Sequence, residues 1–232
     1  MKILVTGATR GIGKVIAETL KGEIFAVGRN EELLKKYYKN YFVADFTKQN
    51  DVLALGEYIL KNGIDVIVNN AGEYIYSEID KCTPEMITEI FKVNTEVPVY
   101  LTSCAVKNMK KNNWGRVVNI GSISGAIGEA NASLYSASKS ALFGFTKSLA
   151  LELAQNNITV NTINPGWVDT DLGNNSIEES EFLKEEIIEC IPQKRFVTPL
   201  EVAKTVEYLL TDDARGITGQ MINICAGLSV GG

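Results

Sequence analysis

Lys2-Ile3-Leu4-Val5-Thr6-Gly7-Ala8-Thr9-Arg10-Gly11-Ile12-Gly13 opens the chain, and its reading decides the fold. A short run, Lys2 to Val5, suited to a buried strand leads into a turn containing three glycines, and an amphipathic helical pattern follows from about 11 to 20. Glycines let a backbone turn tightly and approach a pyrophosphate, whose charge is stabilised at a helix N-terminus. Such a turn can also be a plain strand-to-helix connection. Its position at the first β-α junction favours a dinucleotide site, with Gly7, Thr9, Arg10, Gly11, Ile12 and Gly13 as its contacts.

The alternation continues outward. Apolar runs recur at Ile24 to Val27, Phe42 to Ala44, Val66 to Val68, Val117 to Ile120, Thr159 to Ile163 and Met221 to Ile224, which with the first run makes seven strand candidates. Between them lie helical patterns at about 30 to 38, 48 to 61, 85 to 112, 134 to 155 and 199 to 211. Runs apolar on both faces suit parallel strands covered by helices. Strict β-α alternation therefore predicts an α/β fold: a single-domain, Rossmann-type doubly wound sheet of about seven parallel strands over residues 1–232. The longest stretch without strand signal, Asp171 to Thr198, contains an acidic amphipathic patch from Ile177 to Glu189 and reads as a substrate loop or lid.

Composition excludes several classes. Net charge is −5, and the lysines and arginines are scattered, which argues against a nucleic-acid partner. Cys82, Cys104, Cys190 and Cys225 form no C-x-x-C and read as buried thiols of a reducing compartment. No metal site is expected. Lys2 leads directly into Ile3, without a signal-peptide pattern, and no apolar stretch approaches the roughly 20 residues of a membrane span. A cytoplasmic protein with no membrane association is expected.

The chain contains no histidine. Proton transfer near neutral pH then needs another side chain with a shifted pKa. Tyr135 and Lys139 stand four apart on a helical pattern, on one face, where an ammonium can favour the ionised phenol. The bland alternative is an ordinary amphipathic spacing.

Cofactor choice depends on the end of the second strand, Ala26-Val27-Gly28-Arg29. A basic residue there, with Arg10 able to reach the same place, points to NADP(H) rather than NAD(H), although Glu31 and Glu32 could instead pair with either arginine. Asn69-Asn70-Ala71-Gly72 follows the fourth strand, where asparagines can knit loops together and let Ala71 and Gly72 approach an adenosine face. Asp45, followed by Phe46, is placed to accept from an adenine amino group, or is simply a turn former.

Thr6-Gly7 with Gly11-Ile12-Gly13, then Asn69-Asn70-Ala71-Gly72, Asn94, Ser122, Tyr135-x-x-x-Lys139 and Asn164-Pro165-Gly166 with Thr170 resemble the ordered motif set of the short-chain dehydrogenase/reductase family. The resemblance covers essentially the whole chain. It implies that Tyr135 exchanges a proton with the substrate oxygen, that Ser122 hydrogen-bonds that oxygen with Ser124 as its competitor, and that Lys139 lowers the Tyr135 pKa and binds the nicotinamide ribose. Asn94 would hold a water that relays protons to Lys139, or merely bond a neighbouring backbone group. Pro165, Gly166, Val168 and Thr170 would hold the nicotinamide carboxamide.

Within the family, Trp114 to Ser122, Ile158 to Gly166 and Gly216 to Ile224 are similar to bacterial 3-oxoacyl-(acyl-carrier-protein) reductases. That resemblance implies an acyl-thioester substrate, with Arg116 at a basic position for docking the acidic carrier protein. Asn156-Asn157 stands where a second basic docking position is expected, so docking is in question. A small free ketone or alcohol is the alternative substrate, and a non-catalytic dinucleotide-binding regulator the alternative class. The family resemblance also implies a homo-dimer or homo-tetramer, which the apolar faces in Val97 to Val106 and Leu142 to Leu153 could form unless they are buried within the subunit.

Overall fold

The computed structural model describes residues 1–170, 173, 177 and 183–230. Its strands are β1 (Lys2–Thr6), β2 (Glu23–Gly28), β3 (Asn40–Val43), β4 (Val66–Asn69), β5 (Gly115–Ile120), β6 (Ile158–Pro165) and β7 (Met221–Ile224). They form one parallel sheet in the order β3-β2-β1-β4-β5-β6-β7. All seven expected strands are present. Only β3 is displaced, beginning at Asn40 where Phe25 of β2 pairs with it.

The helices are α1 (Gly11–Thr19), α2 (Glu31–Tyr37), α3 (Gln49–Asn62), α4 (Pro84–Phe91), α5 (Val97–Asn112), α6 (Ser124–Ile127), α7 (Ser133–Leu153), α8 (Lys184–Cys190) and α9 (Pro199–Leu209). Strand alternation sends side chains to opposite sheet faces. Ile3 and Val5 enter one core with Ile16 of α1 and Val202 and Val206 of α9. Leu4 enters the other with Leu55 and Ile59 of α3 and Leu101 and Ala105 of α5. Local signals start the helices. Asn30 Oδ1 accepts from Leu33 N at α2. At α9, Thr198 Oγ1 accepts from Glu201 N while Glu201 Oε2 accepts from Thr198 N, a reciprocal cap followed by Pro199.

The expected single helix over 85 to 112 is interrupted. Between α4 and α5, Lys92–Glu96 form a π-helical turn that contains Asn94. Pro98 lies four residues on and has no N–H to return to the Asn94 carbonyl, so an α-type bond cannot form there and the backbone widens instead.

Other expectations also change. Cys104 and Cys225 are buried thiols, but Cys190 is exposed. The faces invoked for subunit pairing are largely internal: Val97, Leu101 and Ala105 of α5, and Leu142, Ala150 and Leu153 of α7, are buried within the chain. Asp171, Leu172, Asn174 to Ser176 and Glu178 to Phe182 of the expected lid lie outside the described residues, while its later part carries α8. Among the described residues no helix is long and apolar enough to cross a membrane.

Candidate active site

The strand order reverses between β1 and β4, and parallel sheets bind ligands beyond the carboxyl ends of strands at that reversal. A cleft of about 600 Å³ opens there. Gly7, Thr9, Arg10, Gly11 and Ile12 line one part of it, and Ser122, Tyr135 and Lys139 line another. Arg29, Asp45, Phe46, Asn70, Ala71, Gly72, Pro165, Gly166, Val168 and Thr170 also border it. Of the expected residues, Gly13 and Asn94 stand just behind the wall.

The floor is knitted from motif residues far apart in sequence. Thr6 Oγ1 accepts from Asn70 N at 2.9 Å and Ala71 N at 3.0 Å, and Asn70 Nδ2 donates to Thr6 O at 2.9 Å. Gly7 sits at φ +68°, a left-handed conformation that glycine adopts without steric cost. A methyl on Gly13 would stand 2.4 Å from Gly7 O, so the turn packs too closely for any side chain.

A dinucleotide fits this floor. Arg10 is the extended N-cap residue of α1, and no side chain caps the helix start, so its first amides have no side-chain acceptor. Those amides and the helix dipole suit a pyrophosphate. Beyond β2, Arg29 is largely exposed, with Nη1 only 3.9 Å from Glu73 Oε1. Glu31 and Glu32 occupy the first turn of α2 and complement its dipole, and neither is paired with Arg10 or Arg29 among the described residues. Asp45 closes a turn with one of its oxygens: Oδ1 accepts from Thr47 N and Thr47 Oγ1, which with Lys48 and Arg29 holds its carboxyl below the usual range, while Oδ2 lies 3.7 Å from Lys48 Nζ at the cleft border.

At the other part of the cleft, α7 presents Tyr135 and Lys139 toward the end of β5. Lys139 is buried, and its Nζ donates to Ile120 O at 3.0 Å. Burial lowers its pKa to about 8. The Tyr135 phenol is pushed up to about 12 by burial, against a lowering from Ser122 and with a further rise from Glu129. The expected lowering of Tyr135 by Lys139 is therefore absent. The ammonium lies 5.7 Å from the phenol ring centre and is engaged with a carbonyl.

Asn94 is buried, with all its side-chain polarity engaged. Oδ1 accepts from Glu73 N at 2.8 Å, and Nδ2 donates to Glu73 O at 2.9 Å and Ser138 Oγ at 3.0 Å. It anchors the loop after β4 to α7. A methyl on Gly72 would lie 3.1 Å from both Asn94 Oδ1 and Lys139 Nζ, so the absence of a side chain there lets the three groups meet.

Sequence reasoning missed Glu129 and Tyr74. Tyr74 Oη donates to Glu129 Oε1 at 2.7 Å, and its ring stands edge-on to Tyr135 with centres 5.0 Å apart. Ser124 Oγ donates to Glu129 Oε2 at 2.6 Å, and Ser122 Oγ donates to Ser124 Oγ at 3.1 Å. The Ser124 proton is committed to the carboxylate, which leaves Ser122 as the hydroxyl nearer Tyr135 in this hydrogen-bonded chain. Neither Tyr74 nor Glu129 belongs to a recognisable motif. The one available signal was their place in sequence, beside the motif glycines and between Ser122 and Tyr135.

Arg116 corrects a further expectation. It is 2 % exposed, with Nη1 donating to Gly115 O and Asn157 O and its guanidinium over the Trp114 ring. Its Nη2 lies 3.7 Å from Oδ1 of the exposed Asp212, so the guanidinium braces the starts of β5 and β6 and its charge is already met by a carboxylate of the same chain.

A parallel sheet with an uncapped helix start at its first β-α junction, and serine, tyrosine and lysine gathered in the same cleft, defines a dinucleotide-binding protein equipped for proton and hydride exchange. The family described as Enoyl-(Acyl carrier protein) reductase matches residues 7–229, and the chain belongs to the short-chain dehydrogenase/reductase family of oxidoreductases. It is 36% identical over 243 residues to the 3-oxoacyl-(acyl-carrier-protein) reductase of Aquifex aeolicus (strain VF5), covering 97% of this chain and 96% of that protein. It is 32% identical over 253 residues to the D-beta-hydroxybutyrate dehydrogenase of Cupriavidus necator, with 97% and 96% covered. Among solved structures, an actinorhodin polyketide ketoreductase with NADPH superposes with a TM-score of 0.92 at 34% identity, covering 99% of this chain and 97% of that one.

Proposed function

We propose that the chain is an NADPH-dependent ketoreductase that reduces a 3-oxoacyl thioester to the secondary alcohol. The observation that carries this reading is one cleft lined by the glycine turn with Arg10 and Arg29 and also by Ser122, Tyr135 and Lys139. The NADPH in the similar ketoreductase supports the cofactor, and the 3-oxoacyl reductases among the relatives support the substrate class.

Bound NADPH supplies the hydride. Gly7, Thr9, Gly11 and Ile12 hold the pyrophosphate, Arg10 and Arg29 the 2′-phosphate, Asp45, Phe46, Ala71 and Gly72 the adenosine, and Pro165, Gly166, Val168 and Thr170 the carboxamide. Ser122 orients the substrate oxygen, and Tyr135 gives it a proton. A phenol with a pKa near 12 is protonated at neutral pH, as an acid in this direction must be. Lys139 holds the nicotinamide ribose and returns the proton to Tyr135. Asn94, whose side chain ties the loop after β4 to α7 beside Lys139, supports a water path to that lysine. We place the protein in the cytoplasm as a single-domain homo-dimer or homo-tetramer, with residues 171–198 as the substrate loop.

Incubation with NADPH or NADH and acetoacetyl thioester, with and without acyl-carrier protein, tests the reading. Thioester reduction with NADPH, lost in Tyr135→Phe, is expected. Turnover of free ketones alone would move the substrate to the small-molecule class, and binding without turnover would make the protein a regulator.

A further inference from the structure

One charged side chain at the reaction end of the cleft has no task in this mechanism. Glu129 is half-buried, and both its oxygens accept from hydroxyls, Oε1 from Tyr74 and Oε2 from Ser124. Among the described residues it makes no ion pair with a lysine or arginine. Lys139, the cation nearest the reaction centre, instead donates to Ile120 O. Hydroxyl donors satisfy the lone pairs of a carboxylate but leave its charge in place. Glu129 Oε2 is also close to the chemistry, with one step of 2.6 Å to Ser124 Oγ and one of 3.1 Å from there to Ser122 Oγ.

We infer that Glu129 is a specificity-determining residue that selects substrates uncharged beside the reacting carbonyl, such as thioesters and esters, against those bearing a carboxylate there. The inference rests on the proposed reading that Ser122 and Tyr135 hold the carbonyl oxygen. In a 3-oxo acid a single methylene joins the carboxylate to the reacting ketone carbon. With its oxygen at Ser122, two hydrogen-bond steps from Glu129 Oε2, such a substrate brings its negative charge to within roughly 10 Å of Glu129 in a cleft that partly excludes water, where like charges repel more than in bulk solvent. A thioester or ester of the same acid carries no charge and meets no such barrier. The same geometry distinguishes this chain's chemistry from that implied by the name of its hydroxybutyrate dehydrogenase relative, whose substrate is an acid.

Acetoacetate and its ethyl ester share the same ketone and test the inference. The ratio of kcat/KM for ester over acid should be about 100 in the wild type and fall about tenfold or more in Glu129→Gln, as expected for removal of one like charge within roughly 10 Å. Glu129→Asp, which keeps the charge, should retain most of the ratio. A Gln ratio within twofold of wild type, or equal use of both compounds by the wild type, overturns the inference. Binding to the NADPH complex of Tyr135→Phe, read by nicotinamide fluorescence, separates the two levels. If the wild type reduces neither compound yet the ester binds preferentially, the reductase reading fails and charge selection stands. If both bind alike or neither binds, charge selection fails.

Discussion

The Lys139 ammonium donates to the Ile120 carbonyl at 3.0 Å, tying the middle of α7 to the carboxyl end of β5. The bond fixes the lysine beside the reaction centre, but burial brings its pKa down to about 8 from a usual 10.5. The folded protein therefore holds a charge that it would rather release.

That relationship sets a stability test. Between pH 8 and 10.5 the unfolded chain binds more protons at this lysine than the folded one, so its contribution to stability rises with pH through that window. At neutral pH the burial costs roughly 3 kcal/mol. Lys139→Met should remove that cost, lose part of the gain through the orphaned carbonyl, and raise Tm at pH 7 by about 3–6 °C. The advantage should shrink toward pH 10.5 while carbonyl reduction falls by about 100-fold or more. Thermal unfolding at both pH values, paired with kinetics, checks this, and a Tm advantage that grows with pH would contradict it.

The two directions of catalysis should respond oppositely to pH. With the Tyr135 phenol near 12 and Lys139 near 8, reduction should be level from pH 6 to 7.5 and decline as the ammonium loses its proton. Oxidation needs the ionised phenol, and its kcat/KM should climb with pH over the same range. Profiles of kcat/KM in each direction are the measurement, and parallel profiles would show that Tyr135 is not the proton carrier.

Arg29 stands at the cofactor end with only a 3.9 Å contact to Glu73. Arg29→Ala should raise the KM for NADPH about tenfold and leave that for NADH within twofold, the pattern of a lost phosphate contact. An unchanged NADPH KM would remove the arginine from the site.

Thr6 Oγ1 serves two amides, Asn70 N and Ala71 N. Thr6→Val keeps the shape but strands both donors, at a cost of about 2–4 kcal/mol in urea unfolding, whereas Thr6→Ser should cost less than about 1 kcal/mol. Equal losses in both variants would show that the methyl, and not the hydroxyl, matters.

Periodicity and the glycine turn were enough to read the parallel sheet, its seven strands and the placement of the cleft. The reason is local: strand pairing in a βαβ fold leaves an unbroken apolar run at each strand, and Gly7 and Gly13 mark places where no side chain can stand. Tyr135 and Lys139 were legible because they stand at i and i+4 of one helix. What escaped was set by groups that meet only across the fold. Asn94 lies in a π turn where Pro98 interrupts the helix, Arg116 is enclosed between strand starts, and Lys139 turns its charge to a carbonyl and leaves the phenol unrelieved. Glu129 is the clearest case. It becomes a charge in the site only because Tyr74, 55 residues earlier, and Ser124 are brought against its two oxygens, and burial and long-range hydrogen bonding leave no trace in spacing or composition.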